Sequence, residues 1–156
     1  MYDEMMLEAM KEAKKAESIG EVPVGAIIEK DGIIIGRGHN LAESSKDPTA
    51  HAEIIAIKDA AKTLGAWRLT DCNLYVTCEP CAMCAGAIVL ARIRKVYIGT
   101  LDAKSGACGS VFNIIQEQKL NHYVEMQTGI RQQECEGMMK EFFKKRRKKN
   151  TEEFHK

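Results

Sequence analysis

The chain has 156 residues, 45% hydrophobic and 29% charged, which is enough apolar sequence for one core but includes no apolar run long enough to cross a membrane. Its 23 Lys and Arg against 22 Asp and Glu leave a net charge of +1, so overall charge alone does not mark a nucleic-acid binder. Cys78, Cys81 and Cys84 crowd together while Cys72, Cys108 and Cys135 are scattered, and Met1–Lys15 lacks an apolar leader; both point to a reducing cytoplasm where clustered cysteines hold metal.

Residues 2–19 place Met5, Met6, Ala9, Met10, Ala13 and Ala16 at three- and four-residue spacings, which predicts an amphipathic helix stopped by Gly20. Strands are expected over 24–29 and 33–39, joined by the Asp31-Gly32 hairpin turn. Asp47 or Thr49 is expected to cap a helix over 50–64. A buried strand follows at 73–77. Pro80 suits the first turn of a helix over 81–91, and a strand is expected at 94–99. A Gly-rich loop over 102–109 leads to a short helix at 111–116, a fifth strand at 122–126 and a final helix from 130 to about 148. Strands alternating with helices after a hairpin predict an α/β fold, a mixed sheet with helices on both faces, in a single domain over 1–156.

Chemistry concentrates in two fragments, His51-Ala52-Glu53 and Pro80-Cys-Ala-Met-Cys84. His51, Cys81 and Cys84 are three zinc ligands, which leaves a fourth position for water, the arrangement of a catalytic zinc. Helix starts at both fragments would aim their positive dipole ends at the site and favour the thiolates. A zinc in such a site lowers the pKa of a bound water from about 15.7 towards 7. The nucleophile so made attacks an amidine-type ring carbon. Glu53, which need not bind metal, is the candidate proton shuttle, taking the water's proton, giving it to a ring nitrogen and, in a second transfer, protonating the departing ammonia. This motif pair is the known signature of zinc nucleobase deaminases.

Cys78 complicates the pattern, because residues 78–84 read Cys-x-x-Cys-x-x-Cys. With His51, four donors would close a structural zinc site, or three cysteines would suggest an iron–sulfur cluster. The alternative places Cys78 at a strand end as a small apolar residue. A closed site would leave Glu53 idle, which favours the open site.

The chain resembles the bacterial tRNA-specific adenosine deaminases of the cytidine deaminase-like superfamily, which convert the wobble adenosine of an anticodon loop to inosine. The resemblance rests on Glu21-Val-Pro-Val-Gly-Ala, Asp47-Pro-Thr-Ala-His-Ala-Glu-Ile, Leu74-Tyr-Val-Thr, Glu79-Pro-Cys-Ala-Met-Cys-Ala-Gly-Ala, Asp102-Ala-Lys-Ser-Gly-Ala-Cys-Gly-Ser and the Phe142-Phe143…Arg146-Arg147 tail. It implies a three-layer αβα sandwich around a mixed five-stranded sheet, one Zn2+ per subunit, a homodimer and a tRNA partner. It also implies that Asn40 binds the target nucleoside. The implied substrate contacts are Val24, Asn40, Ala52, Asp102, Lys104, Phe142, Phe143 and Arg146. Cys78-Glu-Pro-Cys and Leu64-Gly65-Ala66 are similar instead to bacterial guanine deaminases, which keeps a free base as the second substrate reading.

Lys144-Lys-Arg-Arg-Lys-Lys149 is either a solvated terminal helix or a set of phosphate contacts, and an RNA substrate favours the latter. One of Phe142 and Phe143 is expected in the core and the other on a stacking surface. Arg37 and His39 beside Asn40 are candidate contacts at the pocket rim, although a lone His on a strand is more often structural.

Overall fold

The computed structural model describes residues 2–154, with side chains over 2–151, so the outermost ends of the domain expected over 1–156 lie outside the described residues. The elements run α1 (Tyr2–Ser18), β1 (Gly25–Lys30), β2 (Ile33–His39), α2 (Ala52–Leu64), β3 (Asn73–Cys78), α3 (Ala82–Leu90), β4 (Lys95–Thr100), β5 (Glu125–Gln127) and α4 (Gln132–Phe154). The five strands form one sheet in the order β2-β1-β3-β4-β5. β1 pairs antiparallel with β2 and β3, and β3, β4 and β5 are parallel, so the sheet is mixed as expected. The hairpin turns on Asp31 (φ 52°) and Gly32 (φ 82°), both left-handed, the conformation for which Asp-Gly is suited.

Alternation along the strands builds the two apolar layers. Ala26, Ile28, Leu74, Val76, Val96 and Ile98 face α2 and α3, together with Ala52, Ala56, Ala85 and Ile88. Ile27, Tyr75 and Tyr97 face the other way, against Met6, Ala9 and Met10 of α1 and Cys135 of α4. Tyr75 and Tyr97 are partners in the parallel register and stack at 4.4 Å with a 4° interplanar angle. Each fully buried Leu or Ile contributes on the order of 1.5–3 kcal/mol.

Two glycines of β2 set the position of α2. A side chain at Gly36 would collide with Ala56 and Ala60, and one at Gly38 with Ala52 and Ala56. The alanine stripe of α2 therefore lies directly on the strand, and this contact fixes where His51 and Glu53 begin the helix.

Three local expectations are corrected. The Asp47 carboxylate accepts from the Thr49 N–H (2.8 Å) and hydroxyl (2.7 Å), closing its own turn, so neither residue caps α2; the N-cap is His51, with no side-chain cap bond. Pro80 lies ahead of the α3 N-cap, Cys81, rather than in the first turn. Residues 111–116 form turns and a bridge between Cys108 and Asn113, not a helix. That stretch is held by backbone bonds such as Ile114 N–H to the Ala107 carbonyl (2.9 Å), while Ile115 fills the core. No helix among the described residues is long and apolar enough to cross a membrane.

Candidate active site

α2 and α3 start side by side at one end of the sheet, each with a candidate ligand at its N-cap. Neither His51 nor Cys81 spends its side chain on capping, so both are available beyond the helix ends. His51 Nδ1 lies 3.5 Å from both Cys81 Sγ and Cys84 Sγ. The three donor atoms all lie within 4.8 Å of one another. Tetrahedral zinc, with bonds of about 2.0–2.1 Å to nitrogen and 2.3 Å to sulfur, needs an N···S separation of about 3.5 Å, so the donor set fits that ion in spacing and in chemistry.

The sulfurs are unequal. The hydrogen bond from Cys84, with further help from His51, brings the Cys81 thiol down to about 5 despite its burial. Cys84 is pushed the opposite way, first by its hydrogen bond to Cys81 and then by burial. The pair thus shares one proton between two sulfurs, and a divalent cation is the partner that would let both ionise.

Glu53, only 4% exposed, sits in the first turn of α2 behind these donors. Burial raises its carboxyl from 4.5 to about 7, and the charge of Cys81 adds to the rise, against smaller opposing effects of its own backbone N–H, His51 and Cys84. It does not belong to the three-residue donor group.

A pocket of about 260 Å³ opens onto this group. Of the expected substrate contacts, Val24, Asn40, Ala52, Asp102 and Phe143 line it. The Asn40 side-chain oxygen (Oδ1) accepts the Ala42 N–H at 3.2 Å, which leaves its side-chain NH2 without that partner. Asp102 is turned inward on its own loop. Burial opposes its ionisation, but the Ser105 hydroxyl (2.7 Å) and the N–H groups of Lys104 (3.0 Å) and Ser105 hold its carboxyl below the usual range. Lys104 lines an adjoining groove of about 840 Å³, with Lys140, Phe143, Lys144 and Arg147. Pocket and groove share Cys78, Asp102, Ser105, Met139 and Phe143, so they adjoin.

The structure does not bring Phe142 or Arg146 to this pocket; they face a separate concavity with Glu43. Arg37 and His39 are likewise turned away and paired with Glu8 and Glu12 of α1, at 3.1 Å each. Cys78 is buried in the pocket wall beside, not within, the donor group, and burial pushes its thiol up to about 12.

Glu79 and Met139 are site residues that sequence reasoning missed. The Glu79 carboxylate accepts the N–H groups of Asp102 (3.0 Å), Cys108 (3.0 Å) and Ser110 (3.1 Å) and the Ser110 hydroxyl, so it fastens the 102–110 loop beside the donor helix. A side chain at Gly106 would run into that carboxylate. An acidic residue between a strand end and Pro-Cys was the available signal for Glu79. The i,i+4 spacing of Met139 with Phe143 was the signal for Met139.

A family description, MafB19-like deaminase, matches residues 2–147. A tRNA-specific adenosine deaminase of Bacillus subtilis (strain 168) is 51% identical over 144 residues, covering 92% of this chain and 89% of the relative. A solved structure from studies of A-to-I editing by tRNA:A34 deaminases at the wobble position of transfer RNA superposes with a TM-score of 0.83 at 40% identity, covering 86% of this chain and 98% of the other. A guanine deaminase structure from Bacillus subtilis is 37% identical with a TM-score of 0.61, over 79% of this chain and 82% of the other.

Proposed function

We propose that this chain, which belongs to the tRNA-specific adenosine deaminases within the MafB19-like deaminase family, hydrolyses wobble adenosine in a tRNA anticodon loop to inosine and ammonia at a zinc centre. His51, Cys81 and Cys84 would hold the zinc, one per chain, and Glu53 would carry the protons. When bound, zinc would acidify a water at its open position. Glu53 takes one proton from the attacking water and delivers it to the ring nitrogen as the C–O bond forms, then takes the proton of the new hydroxyl and passes it to the amine, which leaves as ammonia as the C=O bond forms. Its carboxyl near 7 is suited to both directions of transfer at neutral pH. Val24 and Ala52 wall the base, and the Asn40 amide orients the nucleoside.

The observation that carries the RNA reading is that the pocket adjoins a groove edged by Lys104, Lys140, Lys144 and Arg147, whose four cations outnumber the acidic Asp102 and Glu136 there. An anticodon loop presents splayed bases and phosphates, and such a pocket and groove match both. The second reading, a free base such as guanine, is favoured by Cys78 in the pocket wall and by the likeness to the guanine deaminase. A free base has no phosphates for the cationic groove to meet. Incubation with tRNA bearing adenosine at the wobble position should yield inosine there. Turnover of guanine with none of tRNA would reverse the assignment.

A tRNA enzyme with this composition belongs in the cytoplasm, and a homodimer fits an otherwise unexplained surface. The α3 face of Met83, Gly86, Ala87 and Leu90 is apolar, and Leu90 is 69% exposed. A partner would cover it. Sedimentation at micromolar concentration should give twice the 17.4 kDa chain mass, and a fully active monomer would refute this assembly.

A further inference from the structure

The basic end of α4 is divided between two faces. Lys140, Phe143, Lys144 and Arg147 recur at three- and four-residue spacings along the groove. Phe142 and Arg146 lie on another face, over a concavity bounded by Glu17, Gly20 and Glu43. There the Arg146 guanidinium donates to Glu43 Oε1 at 2.5 Å and lies 5.5 Å from the centre of the Phe142 ring.

Glu43 is not on a free tether. It belongs to the excursion between Asn40 and His51, which is closed by the Leu41 N–H to the Ala50 carbonyl at 3.0 Å. Beneath it Glu21, 1% exposed, accepts the Ser44 N–H (2.5 Å), the Ser44 hydroxyl (2.7 Å) and the Glu43 N–H (3.4 Å). Burial works to raise the Glu21 carboxyl, but the Ser44 and Glu43 bonds and the charge of Arg146 hold it below its ordinary value. The loop that carries the pocket's Asn40 at one end and His51 at the other is therefore braced, and the tail is fastened to it. Elsewhere α4 packs on β3 and β4. Those contacts involve its first turns, where Cys135 is buried; from Phe143 to Thr151 its residues are exposed except for half-buried Arg146.

We propose that Glu43 is a positioning residue for RNA binding. By holding Arg146 it orients the end of α4 so that Lys140, Phe143, Lys144 and Arg147 stay aligned along the groove. Arg146 is then an anchor rather than a phosphate ligand. This rests on the RNA reading given above. An unfastened tail spreads over orientations of which only a fraction can bind, and the apparent affinity falls by that fraction.

The test turns on sign. If Arg146 contacted phosphate, Glu43→Gln would free a cation and remove a repelling charge, and tRNA binding would tighten. As an anchor, its loss weakens binding. Glu43→Gln should raise the KM for tRNA about three- to five-fold, the scale of one exposed ion pair, with kcat unchanged. Arg146→Gln should raise KM similarly without changing the salt dependence, whereas Lys144→Gln with Arg147→Gln should flatten it, by up to about 0.7 in slope for each contact. The exchanged pair Glu43→Arg with Arg146→Glu should recover most of the loss. A KM for Glu43→Gln at or below that of the wild type, a flattened salt slope for Arg146→Gln, or no recovery in the exchanged pair would each overturn the proposal. Failure of the wild type itself to deaminate tRNA would instead overturn the RNA reading beneath it.

Discussion

Glu53→Gln should keep the fold and one equivalent of zinc while lowering turnover by about 10⁴-fold or more. A proton shuttle contributes about 10²–10⁴-fold, and here one group serves every transfer, so the loss belongs at or above the upper end. Glutamine matches the volume of the carboxylate, which matters at a residue only 4% exposed, it can still hydrogen-bond Cys84, and the three donors do not include Glu53. The same variant has a signature without metal. Burial raises the Glu53 carboxyl from 4.5 to about 7. Between those values the native state holds a proton that the unfolded chain has released, so native stability falls as pH rises through that window and levels off above it. The metal-free wild type should therefore lose stability relative to metal-free Glu53→Gln from pH 4.5 to about 7, measured by denaturant titration at several pH values. A zinc-replete variant slowed only a few-fold would remove Glu53 from the role given to it, and parallel stability curves would show that its carboxyl is not raised in the metal-free protein.

The parts legible in the sequence were those where local chemistry has one outcome. Asp31-Gly32 demands a tight hairpin turn, the short apolar runs within 73–77 and 94–99 suit buried strands, and His51, Cys81 and Cys84 are donors whose spacing has few other uses. The misread parts were those where local chemistry allows two. Asp47 and Thr49 have the composition of a helix cap, yet the hydrogen bonds they make to each other satisfy them one turn early. This leaves His51 at the N-cap with its ring unspent. Phe142 and Phe143 differ by one position, about 100° around a helix, and only the approach of α4 to the sheet decides which of them reaches the pocket. Glu79 is a single acidic residue in sequence. Its role appears only when the chain from Asp102 to Ser110 folds back over it, a long-range event that no local pattern encodes.

Cys81→Ala should abolish tight zinc binding, and Cys78→Ala should leave it intact. Both residues belong to the same Cys-x-x-Cys-x-x-Cys run, so the contrast rests on geometry and on charge. Cys81 Sγ stands 3.5 Å from His51 Nδ1, and the hydrogen bond from Cys84 draws its thiol down, the direction that favours a metal-bound thiolate. Cys78 lies outside the donor group, and burial keeps its thiol protonated up to about 12. Recruiting it would require both a movement of the end of β3 and the removal of a proton from an apolar wall. Losing a partner beyond the ligands themselves typically costs about 10–100-fold in metal affinity, so losing a ligand should cost more than that. Metal content per chain after dialysis against a weak chelator would read the difference directly. Should Cys78→Ala shed zinc as Cys81→Ala does, four protein donors would fill the coordination sphere. The site would then be closed, no position would remain for water, and the buried carboxyl of Glu53 would have no nucleophile to serve.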